Sequence, residues 1–274
     1  MSTIAVNSLT DTRTTRLFET TRREKRPAIM PYWPVGWPEL EDTESAVSAL
    51  VRGGADLLEI GMPFSDPIAD GPTVQRASQR SLQNGVTTEV ALDHIRRLRQ
   101  DQGIEVPLIA MGYYNPILAY GIERFARDAR EAGADGFIVP DLPPEESDEL
   151  LAACVDNGLH LIYMLAPTST EERFEAILER ASGFIYLVSV IGITGARDRL
   201  WEGLPDYVAR VRRHTSLPLA LGFGISSHAQ VAEAGGLVDG VIFASAMLNH
   251  LEGVSPSQLP GEIERYMASL LGRE

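Results

Sequence analysis

The 274 residues, 44% hydrophobic and 23% charged, suit one large globular domain, and closed α/β barrels reach this size without dividing. A net charge of −14 and a pI near 4.8 argue against a nucleic-acid or anionic-membrane partner, so an anionic substrate must be held by local donors. The single cysteine, Cys154, excludes an internal disulfide, no apolar run is long enough to span a bilayer, and the N-terminus lacks a signal-peptide core, so the chain reads as cytoplasmic.

Taken in order, residues 1 to about 12 read as a disordered extension. Arg13 to Glu24 is charged, with Leu17 and Phe18 as its apolar pair, and reads as a short helix closing one end of the fold. Pro27 to Trp33 reads as a first strand, ended by the proline-rich turn Pro34-Val-Gly-Trp-Pro38. A helix from Asp42 to about Arg52 follows, with Ala46, Val47, Leu50 and Val51 on one face.

A phrase then recurs. Gly53-Gly54-Ala55-Asp56 precedes the apolar run Leu57–Ile60, Gly133-Ala134-Asp135 precedes Gly136–Pro140, and Gly235 to Asp239 precedes Gly240–Phe243. Glycine falls each time where a helix would end in a left-handed turn, and each run lacks alternation, as a strand covered on both faces does. Further strands are expected near Pro107–Gly112, Leu159–Leu165, Phe184–Val190 and Leu217–Gly222. Helices are expected near Thr88–Gln100, Gly121–Glu131, Glu145–Asn157, Thr170–Arg180, Leu204–His214, Ser227–Ala234 and Glu262–Leu271. Eight strands alternating with helices imply a closed (β/α)8 (TIM) barrel with a short N-terminal helix, as one domain over residues 1–274; an open doubly wound sheet is the fallback.

Reacting groups of such a barrel sit where strands end and loops begin. Glu59 is a lone carboxylate near the end of the second apolar run. The stiff loop after it, Gly61 to Pro72, carries Asp66 and Asp70 among small residues. A charge in a buried strand costs several kcal/mol unless it is paired or faces a cleft. Glu59 is therefore expected to point into an active site with Asp70 facing it; the competing reading is a structural ion pair between Glu59 and an arginine. Tyr113, Tyr114 and Asn115 follow the third strand, Asp141 the fourth, and Tyr186 lies within the sixth, where a core tyrosine is as good a reading as a binding one. A second constellation is glycine-rich: Gly192-Ile-Thr-Gly195, Gly222-Phe-Gly-Ile-Ser226 and Ala244-Ser245 follow strands six, seven and eight. Glycines there let backbone N–H groups approach an anion, a helix N-terminus adds its dipole, and barrel phosphate sites commonly lie after strands seven and eight.

What is missing narrows the chemistry. Lys25, the only lysine, precedes the first strand, so no rim lysine can form an imine. The histidines at 94, 160, 214, 228 and 250 fall in helices or at the N-terminal ends of strands and do not group with carboxylates at ligand spacing, so no metal site is expected. No GxGxxG phrase opens a helix after a strand. Carboxylate acid–base chemistry on a phosphorylated substrate remains.

Glu59 to Pro72, Tyr113-Tyr-Asn-Pro116, Pro140-Asp-Leu-Pro-Pro-Glu145, Ser189 to Arg197 and Gly222-Phe-Gly-Ile-Ser226 together resemble the tryptophan synthase α-subunit family, over about Leu17 to the C-terminus. The resemblance implies cleavage of indole-3-glycerol phosphate to indole and glyceraldehyde 3-phosphate, in tryptophan biosynthesis. It places the catalytic pair on Glu59 and Asp70. Substrate contacts fall on Tyr186, Thr194, Gly195, Gly222, Gly224, Ala244 and Ser245, and a mobile lid on Gly192 to about Leu200. It also implies a β-subunit partner in an α2β2 tetramer, touched by Met62, Pro63, Asp66, Asn115 and Pro116, with pyridoxal phosphate in that partner and no cofactor here. The family usually has Gly-Ser where this chain has Ala244-Ser245, threonine where it has Gly112, and smaller or polar residues at Trp33, Pro34 and Trp37. A stand-alone indole-glycerol-phosphate lyase, another phosphosugar barrel and a non-catalytic regulatory partner are the competing functions.

Overall fold

A computed structural model describes residues 9–188, 200–222 and 224–273. Its parallel strands are β1 (Ala28–Pro34), β2 (Leu58–Gly61), β3 (Leu108–Met111), β4 (Gly136–Ile138), β5 (His160–Leu165), β6 (Ile185–Val188), β7 (Leu219–Gly222) and β8 (Gly240–Phe243). They close in sequence order, with β8 paired back to β1. The barrel expectation holds and the open-sheet fallback falls.

Helix α1 (Arg13–Glu24) packs under the barrel. The Thr12 hydroxyl accepts from the Thr15 N–H while the Thr15 hydroxyl accepts from the Thr12 N–H, a reciprocal cap that starts the helix. Thr12 is also tied to His160 Nε2 at 2.9 Å. Residues 1–8 of the expected extension lie outside the described residues. Phe18 inserts into the barrel interior, its ring centroid 5.7 Å from that of Phe184.

Barrel strands alternate inward and outward with a period of two. Met30, Leu57, Ile109, Ile138, Ile162, Phe184, Ala220 and Ile242 fill the interior; Ile29, Leu58, Ile60, Leu108 and Ala110 pack under the helices. Both faces are therefore apolar, and the sequence pattern shows no alternation. Parity then decides the mouth. Tyr32 stands two residues after Met30, Glu59 two after Leu57 and Tyr186 two after Phe184, so all three project inward one layer above the core.

The recurring glycine-to-aspartate phrase has its cause at the opposite end. Asp56 accepts from the Ile29 N–H at 2.9 Å, Asp135 from the Leu108 N–H at 2.9 Å and Asp239 from the Leu219 N–H at 2.8 Å. Each aspartate thus staples the start of the preceding strand, and each also holds an arginine: Arg26, Arg99 and Arg212. The glycine expectation holds in part. Gly133 is left-handed (φ 99°) and so is Gly54 (φ 103°), but Gly53 and Gly236 keep right-handed geometry.

The outer helices are α2 (Thr43–Arg52), α3 (Pro72–Gln83), α4 (Thr88–Gln100), α5 (Tyr114–Tyr120), α6 (Ile122–Ala132), α7 (Asp148–Asp156), α8 (Glu171–Leu178), α9 (Leu204–Arg212), α10 (His228–Gly235), α11 (Ser245–Leu251) and α12 (Leu259–Leu270). Three of them, α3, α5 and α11, have no counterpart in the sequence reading. Helix α3 buries Val74, Ala77, Ser78 and Ser81, the right helical spacing carried half by serine, so hydrophobic periodicity does not reveal it. The other two are seven residues each and start inside what reads as loop.

Candidate active site

Glu59 sits on β2 facing the barrel axis and is 2% exposed. Burial first, and the nearby charge of Asp70 second, push its carboxyl up to about 8. No cation appears among those causes, and among the described residues no arginine pairs with it. The structural ion-pair reading finds no support among the described residues. A carboxyl so placed stays protonated at neutral pH and can release or take a proton with little driving force.

Asp70 is presented by the loop between β2 and α3. That loop is held by its own backbone, with the Ile68 N–H bonded to Asp66 O at 2.9 Å and the Asp70 N–H to Pro67 O at 3.1 Å. The Gln75 amide donates to Asp70 O at 2.9 Å. Tyr113, just after β3, fixes the side chain. Its hydroxyl accepts from the Ala69 N–H at 3.0 Å and donates to Asp70 Oδ2 at 3.0 Å. Burial raises the Asp70 carboxyl to about 6, and the Tyr113 hydrogen bond opposes that rise. The two acids therefore titrate apart, Asp70 ionised and Glu59 protonated between about 6 and 8.

Tyr186 reaches the same mouth from β6. A Cβ on Gly222 would lie 2.1 Å from its hydroxyl, so the last residue of β7 must be glycine to seat the ring. Its own ionisation is pushed well up by burial, then by Glu59 and Asp70, so the phenol stays a donor. Gly224 is different. Its φ of 84° favours glycine and a Cβ there would meet nothing within 4 Å, leaving backbone open to a ligand. The loop after it is organised by the buried Gln230, whose Oε1 accepts from the Ser226 N–H at 2.8 Å and the Ser226 hydroxyl at 3.0 Å. Ala244 and Ser245 start α11 beside it, since Gly222 pairs with Ile242. Strand β1 alone separates β8 from β2, so this corner stands about 10 Å around the wall from Glu59 at ~4.8 Å per strand. Thr194, Gly195 and the expected lid, apart from Leu200, lie outside the described residues.

The other rim residues divide. Asp141 accepts from the Tyr114 N–H at 3.0 Å and so anchors the start of α5. Asp66 and Asn115 are exposed, Pro63 and Pro116 half-buried, and Met62 is buried against them, floor rather than surface. A Cβ on Gly112 would lie 3.2 Å from the Met62 Cβ, so methionine takes the room of the usual threonine. Ile68 projects from the same face, 82% exposed. Trp33 is fully buried outside the barrel wall with its ring 5.3 Å from Trp37, so these tryptophans thicken the core and do not line the mouth. Tyr32 and Gln230 are the residues that sequence reasoning passed over. A hydroxyl in an otherwise apolar first strand was the available signal for Tyr32; nothing local marks Gln230.

A sequence model described as tryptophan synthase alpha chain matches residues 18–267. The chain belongs to the tryptophan synthase alpha chain family. The tryptophan synthase alpha chain of Roseiflexus sp. (strain RS-1) is 51% identical over 251 residues, 92% of this chain and 96% of that one. That of Roseiflexus castenholzii is 50% identical over 255 residues, 93% and 97% of the two chains. Among solved structures, a tryptophan synthase chain from M. tuberculosis superposes with a TM-score of 0.84 at 34% identity, covering 95% of this chain and 99% of that one. As a member of this alpha chain family it is a carbon–carbon lyase that cleaves indole-3-glycerol phosphate in tryptophan biosynthesis. Among the described residues no helix is long and apolar enough to cross a membrane, and no histidine, cysteine and carboxylate cluster could hold a metal ion.

Proposed function

We propose that this chain, folded as one domain, performs the cleavage with Glu59 and Asp70 as its acid–base pair. The observation that carries the reading is a buried Glu59, paired to no cation among the described residues, whose charged neighbour is another acid, Asp70, held by Tyr113. Protonated Glu59 gives its proton to C3 of the indole ring, which turns the ring into an iminium-like electron sink. The resulting carboxylate removes the proton of the hydroxyl on the adjoining glycerol carbon. The bond from that carbon to C3 breaks, its electron pair restores the indole ring, and an aldehyde is left on the three-carbon phosphate. Ionised Asp70 accepts the indole N–H and stabilises the positive charge that develops on nitrogen. Gly222, Gly224, Ala244 and Ser245, with Thr194 and Gly195, hold the phosphate, and Tyr186 packs against the ring.

The same reading assigns a β-subunit partner. Pro63, Asp66, Asn115 and Pro116, with Met62 beneath them, form the contact through which indole leaves, in an α2β2 tetramer. Pyridoxal phosphate belongs to that partner, this chain works without a cofactor, and the site of action is the cytoplasm. The exposed Ile68 on this face supports a covered surface.

Indole release from indole-3-glycerol phosphate, measured with and without a β subunit, tests these assignments. Parent enzyme is slow alone and accelerates with the partner; a fast partner-independent rate identifies a stand-alone lyase. Glu59→Gln abolishes turnover and retains substrate binding, and Asp70→Asn loses about 10²–10⁴-fold in rate. Substantial turnover by either variant removes that residue from its role.

A further inference from the structure

Tyr32 has no part in the scheme above, yet it stands in the same layer as Glu59. The two are register partners across β1 and β2. The Tyr32 ring leans over Gly61, two residues on from Glu59. The three nearest atoms that a Cβ on Gly61 would meet all belong to Tyr32, the hydroxyl oxygen at 2.1 Å. This repeats the seat of Tyr186, whose register partner is Ala220 and whose ring leans over Gly222, two residues further along β7. The barrel mouth therefore contains two tyrosine-over-glycine seats, one at β1–β2 beside Glu59 and one at β6–β7, and each costs its neighbouring strand a side chain.

Position distinguishes the two seats. Asp70 rises from the loop of β2, and β2 is flanked by β1 and β3. Tyr113 approaches Asp70 from the β3 side and donates to Oδ2. Tyr32 stands on the β1 side, in register with Glu59 and over Gly61, and in this structure it makes no hydrogen bond to Asp70 among the described residues. Burial first, and then the through-space charges of Asp70 and Glu59 and the Tyr113 phenol, keep its hydroxyl protonated and able only to donate toward a carboxylate. Burial leaves Asp70 harder to ionise than an ordinary carboxyl even with the Tyr113 hydroxyl bonded to it. An ionised carboxylate has a second oxygen to satisfy.

We propose that Tyr32 is a positioning residue for Asp70: seated over Gly61, it donates its hydroxyl to the ionised carboxylate from the β1 side, completing a clamp whose other jaw is Tyr113. The proposal rests on the acid–base reading of Glu59 and Asp70. It assigns Gly61 a function as well, since a side chain there unseats the clamp.

Indole release by the β-subunit complex, followed from pH 5 to 9, tests this with Tyr32→Phe, Gly61→Ala and Glu59→Gln. Tyr32→Phe keeps the ring and removes the donor. Its kcat should fall about tenfold, the scale of one hydrogen bond to a charged group, with KM within about twofold. The acidic limb of kcat/KM should move up by about one pH unit, as Asp70 becomes harder to ionise. Gly61→Ala should reproduce that limb shift in the parent and add nothing in a Tyr32→Ala background, where the ring it displaces is gone. A parent-like acidic limb in folded Tyr32→Phe overturns the proposal, as does a Gly61→Ala effect of equal size with and without Tyr32. An active Glu59→Gln would instead overturn the underlying acid–base reading, so the two failures are told apart.

Discussion

Glu59→Gln should make the protein more stable as it makes it inactive, and the gain should depend on pH in a calculable way. The carboxyl titrates at about 8 in the folded chain against an ordinary 4.5. At pH 7 the unfolded chain carries Glu59 ionised while the folded chain must hold it protonated. That difference spans about 2.5 pH units, and at ~1.36 kcal/mol per unit it costs folding about 3 kcal/mol. The sign follows from the direction of the shift. Below 4.5 both states are protonated and the penalty vanishes. It grows as pH rises to 8 and levels off above, near 5 kcal/mol. Glutamine keeps the shape without the charge, so its stability should lack this slope. A buried amide adds a constant of about 1–3 kcal/mol if it finds no partner, which shifts the curve without tilting it. Urea denaturation of parent and variant from pH 4 to 9 reads the difference directly. Parallel stability curves would show that burial does not set the state of Glu59, and the energetic argument for its role would fail.

Tyr113→Phe removes the hydroxyl that both accepts from Ala69 and donates to Asp70. The Asp70 carboxyl should rise above 6 and kcat/KM at pH 6 should drop more than at pH 7.5, which a two-point rate comparison checks. At the far end of the barrel, Asp135→Ala strips the Leu108 N–H of its acceptor and the buried Arg99 of its carboxylate, leaving that charge only the carbonyls of Gly133, Ile104 and Val106. About 3–5 kcal/mol of stability should go, read by urea denaturation, while kcat at 20 °C stays within about twofold of parent.

The barrel was legible because eight buried strands leave uninterrupted apolar runs, and because a glycine-to-aspartate phrase marks three strand starts. Its aspartates explain themselves only in three dimensions, where each ties the N–H of a neighbouring strand. Helix α3 stayed hidden because serine occupies half of its buried face. At the site, Glu59 was legible as a charge where charge is expensive. Tyr32 was not, because a tyrosine in a strand can face core or mouth, and only its parity with Met30 and its seat over Gly61 decide. Gly222 reads as a phosphate glycine from its loop, whereas its contact with Tyr186 supplies a second reason for the missing side chain.

The account depends on one acid being protonated while its neighbour is charged. The pH dependence of indole release by the intact α–β complex measures that condition most directly. The predicted kcat/KM rises as Asp70 ionises near 6 and falls as Glu59 loses its proton near 8. A rate that keeps climbing beyond pH 9, or one indifferent to pH from 5 to 9, would contradict it.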